Sequence, residues 1–220
     1  MGYFMKKIAA AVIFAISLAG SAFAEDVSIK GLNFSVPLCR KTGDTDSTQK
    51  LDLSSLGFGV NFNKMSVTGG EDWGYSSVFG AGIGYADSTM KNRYNDASCD
   101  FSGIDLNVKW GWGIAPLCRE KIILAVHVFA GLDLCYLEAE ESTYKYATYD
   151  FDVLLGGDIF CAVRIVKNLS LTAGIDIASN LAGFGTVSAE FDDHGGVTAS
   201  YKYVGSGFYA APRVGISWIM

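Results

Sequence analysis

The sequence predicts an all-β fold: an up-and-down barrel of eight antiparallel strands that crosses a membrane. Three observations lead to this prediction. Apolar residues recur at every second position in eight segments, short and long connections alternate, and tryptophans and tyrosines separate to opposite ends of the segments. A period of two is the spacing of a strand with one apolar face. Strands can cross a bilayer only when they close into a barrel.

The first 24 residues have the features of a cleavable signal peptide. Lys6 and Lys7 precede an apolar run, and Ala22-Phe23-Ala24 fits the small-x-small pattern of a cleavage site. The run is shorter than the roughly 20 residues of a spanning helix, which disfavours the alternative of a membrane anchor. We therefore predict a signal peptide at 1–24 and one exported barrel domain at 25–220.

The composition excludes two classes of protein. Charged residues make up 18% of the chain and hydrophobic residues 50%, so the charge-rich composition of a disordered protein is absent. Without the two leader lysines, 15 basic residues remain against 23 acidic ones, a net charge of −8. Binding to phosphates needs clustered lysine and arginine. We therefore expect no nucleic-acid partner.

Each segment has an apolar face, which we assign to lipid, and a small or polar face, which we assign to the lumen. In segments two to five the apolar positions are Leu56, Phe58, Val60, Phe62; Phe79, Ala81, Ile83, Tyr85; Ile104, Leu106, Val108, Trp110, Trp112, Ile114; and Ile122, Leu124, Val126, Val128, Ala130, Leu132, Leu134, Tyr136. In segments six to eight they are Phe151, Val153, Leu155, Ile159, Cys161, Val163, Ile165; Leu169, Leu171, Ala173, Ile175, Ile177; and Ala210, Pro212, Val214, Ile216, Trp218, Met220.

The first segment, residues 26–40, is the least regular. Val27 and Ile29 keep one phase of the alternation, whereas Leu32 and Phe34 keep the other. One extra residue in a strand produces such a change of phase. The pattern therefore predicts a β-bulge near Gly31.

The connections also follow a rule. We predict long polar loops at 42–50, 91–98, 138–148 and 180–202, and tight turns at 116–121 and 166–168. The connection at 64–74 is longer than this rule prefers. Short turns at one end and long loops at the other are typical of membrane-spanning barrels, in which the long loops face outward. The acidic loops at 138–148 and 180–202 are the predicted sites for an extracellular ligand, the alternative being that their charges only keep the loops hydrated.

Aromatic residues mark the two ends of the predicted barrel. All four tryptophans fall toward the short-turn end, and most tyrosines fall at or beyond the other end. Amphipathic rings collect at both membrane interfaces. The predicted aromatic girdle consists of Trp110, Trp112, Trp218, Tyr85 and Tyr136.

In these features the chain resembles the small eight-stranded outer-membrane barrels, among them the OmpA transmembrane domain, OmpX and the OmpW family. The resemblance covers residues 25–220 and includes the apolar alternation before the C-terminus at Pro212, Val214, Ile216 and Trp218. Met220 stands where such barrels end on an aromatic residue. The resemblance implies the bacterial outer membrane, contact with its lipid and surface glycolipid, and insertion by the barrel-assembly machinery.

Nine polar residues face the predicted lumen: Asp105, Lys109, His127, Asp133, Asp152, Asp158, Arg164, Asp176 and Arg213. An eight-stranded barrel is only just wide enough for its own side chains, so these charges must pair or stay hydrated. Pairing of segments four and five about Cys118 would place Lys109 opposite His127. We favour a structural plug of ion pairs over a path for protons or ions.

No catalytic, cofactor or metal site is predicted. His127 faces the lumen, and Asp192, His194 and Ser200 form no known catalytic motif. The alternate glycines at 80–84 lie within one strand and not before a helix, where a dinucleotide loop would place them. The five cysteines lack the CxxC spacing of metal sites and show no disulfide framework, so we expect free thiols.

The sequence therefore favours a non-enzymatic outer-membrane barrel with a structural or surface-interaction role. The first alternative is a narrow pore for small or apolar solutes, which the OmpW resemblance implies. The second alternative is a soluble, lipocalin-like binding barrel in which Trp110 and Trp112 would fill the cavity.

Overall fold

The computed structural model describes residues 27–45, 50–69, 73–141, 144–191 and 195–220, so the predicted signal peptide lies outside the described residues. In this part of the chain, no helix is long and apolar enough to span a membrane. The strands are β1 (Val27–Ser35), β2 (Leu38–Thr45), β3 (Lys50–Gly69), β4 (Gly74–Asn92), β5 (Ser98–Cys118), β6 (Ile122–Glu141), β7 (Tyr144–Val166), β8 (Leu169–Phe191) and β9 (Gly195–Ile219).

These strands form a closed antiparallel ring. From β3 to β9 each strand pairs with the next along the chain, and both β1 and β2 pair with β3 on one side and β9 on the other. β1 and β2 are therefore two halves of one strand position, and the ring has eight positions. The predicted all-β, up-and-down barrel is confirmed.

The break between β1 and β2 lies at Val36-Pro37. Proline has no backbone N–H and interrupts a ladder. Val36 N–H still donates to the Pro212 carbonyl at 3.1 Å, and the Pro37 carbonyl accepts from Gly57 N–H at 2.8 Å, so the wall stays continuous. The predicted bulge near Gly31 is wrong, because β1 keeps an unbroken register with both neighbours from Ile29 to Ser35.

The strands extend well beyond the predicted segments. The sequence assigns 138–148 and 180–202 to loops, but β6 and β7 pair as far as Glu141 opposite Tyr144, and β8 and β9 pair as far as Phe191 opposite Gly195. Of the predicted loop at 42–50, only residues 46–49 lie outside both the strands and the described residues. The predicted long loops are therefore largely hairpin.

A bulge explains why the last hairpin escapes sequence analysis. Asn180 pairs with Leu154, but Ala182 pairs with Val153, so Leu181 is an extra residue in β8. Before the bulge, even-numbered residues such as the buried Asn180 point inward, whereas after it odd-numbered residues such as Gly185 point inward. This change of phase ends the apolar alternation although the strand continues.

Side chains alternate across the wall as predicted. Trp110 and Val128 point outward and are 49% and 65% exposed, while their chain neighbours Lys109 and His127 point inward and are 8% and 1% exposed. A soluble binding barrel would need the reverse orientation. The lipocalin-like alternative is therefore wrong.

The inward face of β6 passes through every layer of the lumen. Ile123 and Ala125 belong to an apolar cluster at the short-turn end, and Leu137 and Ala139 to another at the opposite end. We name these clusters the short-turn cap (Ile29, Met65, Val67, Ala115, Ile123, Ala125, Phe160, Ala162, Ile219) and the long-hairpin cap (Leu53, Ala86, Met90, Phe101, Leu137, Ala139). All of these side chains are buried, so apolar groups close both ends.

A third apolar group, the central cluster, lies between the caps and contains Phe129, Leu154, Ala178, Tyr209 and Ala211. On β6, Phe129 separates His127 from Asp133. The polar groups of the lumen therefore form two layers, one on each side of this cluster.

Candidate functional site

The first polar layer lies between the short-turn cap and the central cluster. We name it the balanced network: Lys109, His127, Asp158, Asp176 and Arg213, which come from β5, β6, β7, β8 and β9. Lys109 Nζ lies 2.6 Å from Asp158 Oδ2 and 2.7 Å from Asp176 Oδ1, and Arg213 contacts the same two carboxylates. Two cations thus face two carboxylates, and the layer is neutral when His127 is neutral.

His127 links this network to β4. Its Nδ1 lies 3.1 Å from Asp158 Oδ1, and its Nε2 lies 2.8 Å from Ser76 Oγ. The three groups have the hydrogen-bond order of a hydrolase triad, Ser–His–Asp. The predicted pairing of Lys109 with His127 is wrong, because Lys109 stands opposite Gly131 and His127 opposite Gly113. Asp158 joins the two instead.

The second polar layer lies between the central cluster and the long-hairpin cap. Lys41 of β2 contacts Asp150 and lies 2.5 Å, from Nζ to Oδ2, from Asp152; all three side chains are buried. Asp152 stands directly opposite Asp133 in the β6–β7 ladder, and Asp150 opposite Cys135. The two strands therefore present a continuous polar surface to the lumen.

Next to the Lys41 group lie Asp105, Asp133 and Cys135, which we name the acidic cluster. The three side chains offer one ligand atom each within 4.8 Å of one another. Cys135 Sγ lies 3.7 Å from Asp105 Oδ1, and both carboxylates are buried. Among the described residues, this second layer thus contains one lysine, Lys41, and four carboxylates, those of Asp105, Asp133, Asp150 and Asp152.

The nine predicted lumen residues divide among these groups. Five form the balanced network, Asp105 and Asp133 belong to the acidic cluster, and Asp152 contacts Lys41. Arg164 lies apart: it is partly exposed near the short turns, and its Nε has no hydrogen-bond partner among the described residues.

Sequence analysis missed Lys41, Asp150 and Ser76. Lys41 has the parity of the inward residues Ser35 and Cys39 but lies one residue beyond the predicted first segment. Asp150 likewise has the parity of Asp152 but precedes the predicted sixth segment. Extending the alternation by one or two residues would have found both.

The residues of the predicted girdle lie on the outer face. Trp110 and Trp112 contact each other with ring centroids 4.0 Å apart and ring planes tilted by 58°, and Trp218 is exposed on β9. Toward the opposite end, Tyr136 packs on Tyr149 with centroids 4.7 Å apart, and Tyr85 is exposed on β4.

All five cysteines fall within the described residues and are free thiols. Cys39 packs against the central cluster and Cys135 against the long-hairpin cap. Cys161 lies on the outer face between Ile159 and Val163. The thiols thus occupy both faces of the wall.

The rim beyond the tyrosines carries exposed ion pairs. Arg93 Nε donates to Asp52 Oδ2 at 2.6 Å, and this hydrogen bond lowers the pKa of Asp52 below its ordinary value. Lys91 Nζ lies 2.8 Å from Asp96 Oδ1, and its hydrogen bond lowers the pKa of Asp96. Both carboxylates therefore remain charged at neutral pH.

Solved outer-membrane proteins share this fold. The outer membrane protein OprG from Pseudomonas aeruginosa has a TM-score of 0.55 at 12% identity, over 90% of this chain and 96% of that chain. A major outer membrane protein from Thermus thermophilus has a TM-score of 0.58 at 12% identity, over 86% and 99%. The outer membrane protease OmpT from Escherichia coli has a TM-score of 0.52 at 6% identity, over 90% and 98%.

No family model matches the sequence, and no curated protein matches it. At such low identities the structural similarity establishes the fold and leaves the activity open. The chain has the fold of a small outer-membrane β-barrel, as its resemblance to that class predicts. The predicted location, the bacterial outer membrane, is that of all three of these solved proteins.

Proposed function

We propose that the chain is a non-enzymatic barrel of the outer membrane that acts through its long outer hairpins while its lumen stays closed. One observation carries this proposal: apolar caps bury both ends of a lumen that charged side chains fill. The proposal keeps the structural or surface-interaction role that the sequence favours and places the pore second.

The contents of the lumen support closure. The inner face around Ile29, Asn63, Met65 and Phe160 leaves a cavity of about 10 Å³, roughly the space of one water molecule. A passage for solutes would have to cross both caps and both polar layers. Opening the balanced network would also separate buried ion pairs, at several kcal/mol per uncompensated charge.

The outer face suits lipid. On β5 the apolar outward residues run from Ile104 to Ile114, between Ser102 and the short turn. Ten steps of about 3.3 Å at a tilt of about 40° span roughly 25 Å, the height of the apolar band of outer-membrane barrels. Lipid is therefore the proposed partner of this belt, and insertion by the barrel-assembly machinery follows from the same proposal.

The hairpins supply the surface for partners outside the cell. β6 and β7 continue past the Tyr136–Tyr149 pair, and Glu138 and Glu140 are exposed there, with Lys145 3.4 Å from Glu140. Glycolipid or another surface ligand would meet this face. The acidic residues Asp192 and Asp193, which the sequence places in the same region, lie outside the described residues.

The Ser76–His127–Asp158 arrangement does not change the non-enzymatic proposal. All three residues are buried, and Asp158 also holds Lys109 and Arg213. A nucleophile must contact its substrate carbonyl, and a triad must leave room for an oxyanion. The short-turn cap occupies the lumen beside this triad, so we interpret it as part of the plug.

Conductance in planar bilayers tests the closed lumen. The folded protein, verified by its gel shift on boiling, should leave the membrane at the current of an empty bilayer. Steady single-channel steps would contradict closure and favour the pore for small or apolar solutes.

Epitope tags test the role of the hairpins. A tag inserted between Phe191 and Gly195 should bind antibody on intact cells, whereas a tag at Lys167-Asn168 between β7 and β8 should require permeabilised cells. The reverse pattern would mean that the short turns face outward and would overturn the proposed surface.

A further inference from the structure

The acidic cluster has the spacing of a metal site. Tetrahedral bonds of about 2.0 Å to oxygen and 2.3 Å to sulfur place these two ligands roughly 3.5 Å apart. Cys135 Sγ and Asp105 Oδ1 are 3.7 Å apart, and Asp105, Asp133 and Cys135 each offer one ligand atom within 4.8 Å of the other two. The three side chains are therefore close enough to share one ion.

Unpaired oxygens give a second, independent indication. The Asp133 side chain is 7% exposed, and its Oδ1 has no hydrogen-bond partner among the described residues. Asp152, directly opposite Asp133 in the ladder, has a buried Oδ1 in the same state. A buried carboxylate oxygen without a donor is costly, and a bound cation removes this cost.

The charge of the layer agrees with this indication. Lys41 contacts Asp150 and Asp152, and neither Asp105 nor Asp133 contacts a lysine or arginine among the described ion pairs. Burial of two further carboxylates requires either a proton or a cation.

We propose that Asp105, Asp133 and Cys135 bind one divalent cation of the zinc class. Magnesium and calcium take oxygen ligands, whereas a thiolate with carboxylates suits zinc and its neighbours among the transition metals. Cys135 loses its thiol proton on binding. Three protein ligands leave a fourth position for water or for Asp152. Because both ends of the lumen are capped, the ion enters while the barrel folds.

Cobalt is the probe for this site, because a cobalt–thiolate bond gives a charge-transfer band. The protein is refolded in detergent with Co²⁺, desalted and analysed for metal content. We expect one cobalt per chain and a sulfur-to-cobalt band, and both should be lost when Zn²⁺, but not Mg²⁺ or Ca²⁺, is added in excess during refolding. Wild-type protein without this band would overturn the proposal whatever the variants do.

Two cysteine variants localise the site. Cys135→Ser should abolish the band and weaken binding by more than about 100-fold, since even loss of an outer partner of a ligand costs 10–100-fold. Cys161→Ser removes a thiol from the outer face and should keep both band and affinity. Asp133→Asn should weaken binding with the barrel still folded by gel shift. Equal binding by Cys135→Ser and Cys161→Ser would contradict the site.

Discussion

The two polar layers of the lumen differ in how their buried charges are compensated. In the balanced network, Lys109 and Arg213 share Asp158 and Asp176, so each buried charge meets an opposite one. In the second layer Lys41 pairs with Asp150 and Asp152, whereas Asp105 and Asp133 have no cation in the described ion pairs. One layer is complete from protein groups, whereas the other needs a proton or an ion.

This difference in charge suits the two layers to different roles. The balanced network joins five neighbouring strands and can hold the wall together without a ligand. The second layer adds two thiols, Cys39 and Cys135, on the same side of the central cluster. A layer with excess charge and soft donors is suited to binding, and a layer with matched charges is suited to stability.

The largest expected effect comes from breaking the balanced network. Arg213→Met leaves Asp158 and Asp176 with one cation, and removal of one partner of a buried ion pair costs about 3–5 kcal/mol of unfolding free energy. Urea unfolding in lipid vesicles measures this loss. Arg93→Met, at an exposed pair with Asp52, is the matched control and should change little. An equal loss of unfolding free energy in the two arginine variants would contradict the structural role of the network.

Stabilisation by zinc should distinguish the second layer from the balanced network. At a free concentration 100 times its dissociation constant, an ion that binds only the folded state adds about 2.7 kcal/mol of stability. We expect this gain in wild-type protein and in Cys161→Ser, and none in Cys135→Ser. Unfolding curves with Zn²⁺ and with a chelator measure it. A gain that persists in Cys135→Ser would place the ion elsewhere.

Ser76→Ala should have a moderate effect. It leaves the buried Nε2 of His127 without its partner, which costs roughly 1–2 kcal/mol. Ser217→Ala is the control, because the buried Ser217 Oγ has no hydrogen-bond partner among the described residues, and its loss should be neutral.

A fluorophosphonate should leave folded wild-type protein unlabelled; labelling that Ser76→Ala removes would make the triad catalytic.

The exposed Asp52–Arg93 pair should have the smallest effect. The pKa of Asp52 is lower in the folded state, so its contribution to stability is present above the unfolded pKa and is lost as the pH falls through the folded pKa. The difference between wild type and Asp52→Asn should therefore begin to shrink below about pH 3.8, the ordinary value, and disappear at lower pH, below the folded pKa of Asp52. Salt should reduce it as well. A large, salt-independent difference would contradict this interpretation.

The alternation of apolar and polar residues predicts the barrel wall, because inside the membrane the outward side chains must be apolar. Trp110 and Lys109, adjacent in the chain, point to opposite sides as their polarity demands. Outside the membrane the outward side chains face water, so polar residues point outward and apolar residues point inward. Leu53 and Phe101 point inward at the rim while Asp100 and Ser54 face water, so the hydrophobic pattern changes phase although the strand does not. The irregular start at Ile29 has the same cause.

The contacts across the lumen could not be predicted from the sequence. Lys109 meets Asp176, which lies 67 residues further along the chain, and such contacts depend on the shear of the barrel. The register of β5 with β6 also depends on an irregularity between Ile114 and Leu117, where Pro116 interrupts the ladder, and the sequence does not give the size of the resulting shift. The acidic cluster was missed for the same reason, since Asp105 reaches Cys135 only in this register.

Matched substitutions at Asp133 and Asp176 test most directly whether the two layers differ. In metal-free protein, Asp176→Asn leaves Lys109 and Arg213 with one carboxylate and should cost about 3–5 kcal/mol of unfolding free energy. Asp133→Asn removes one from a layer with excess acid and should leave stability unchanged or higher. Equal destabilisation by the two substitutions would contradict the account.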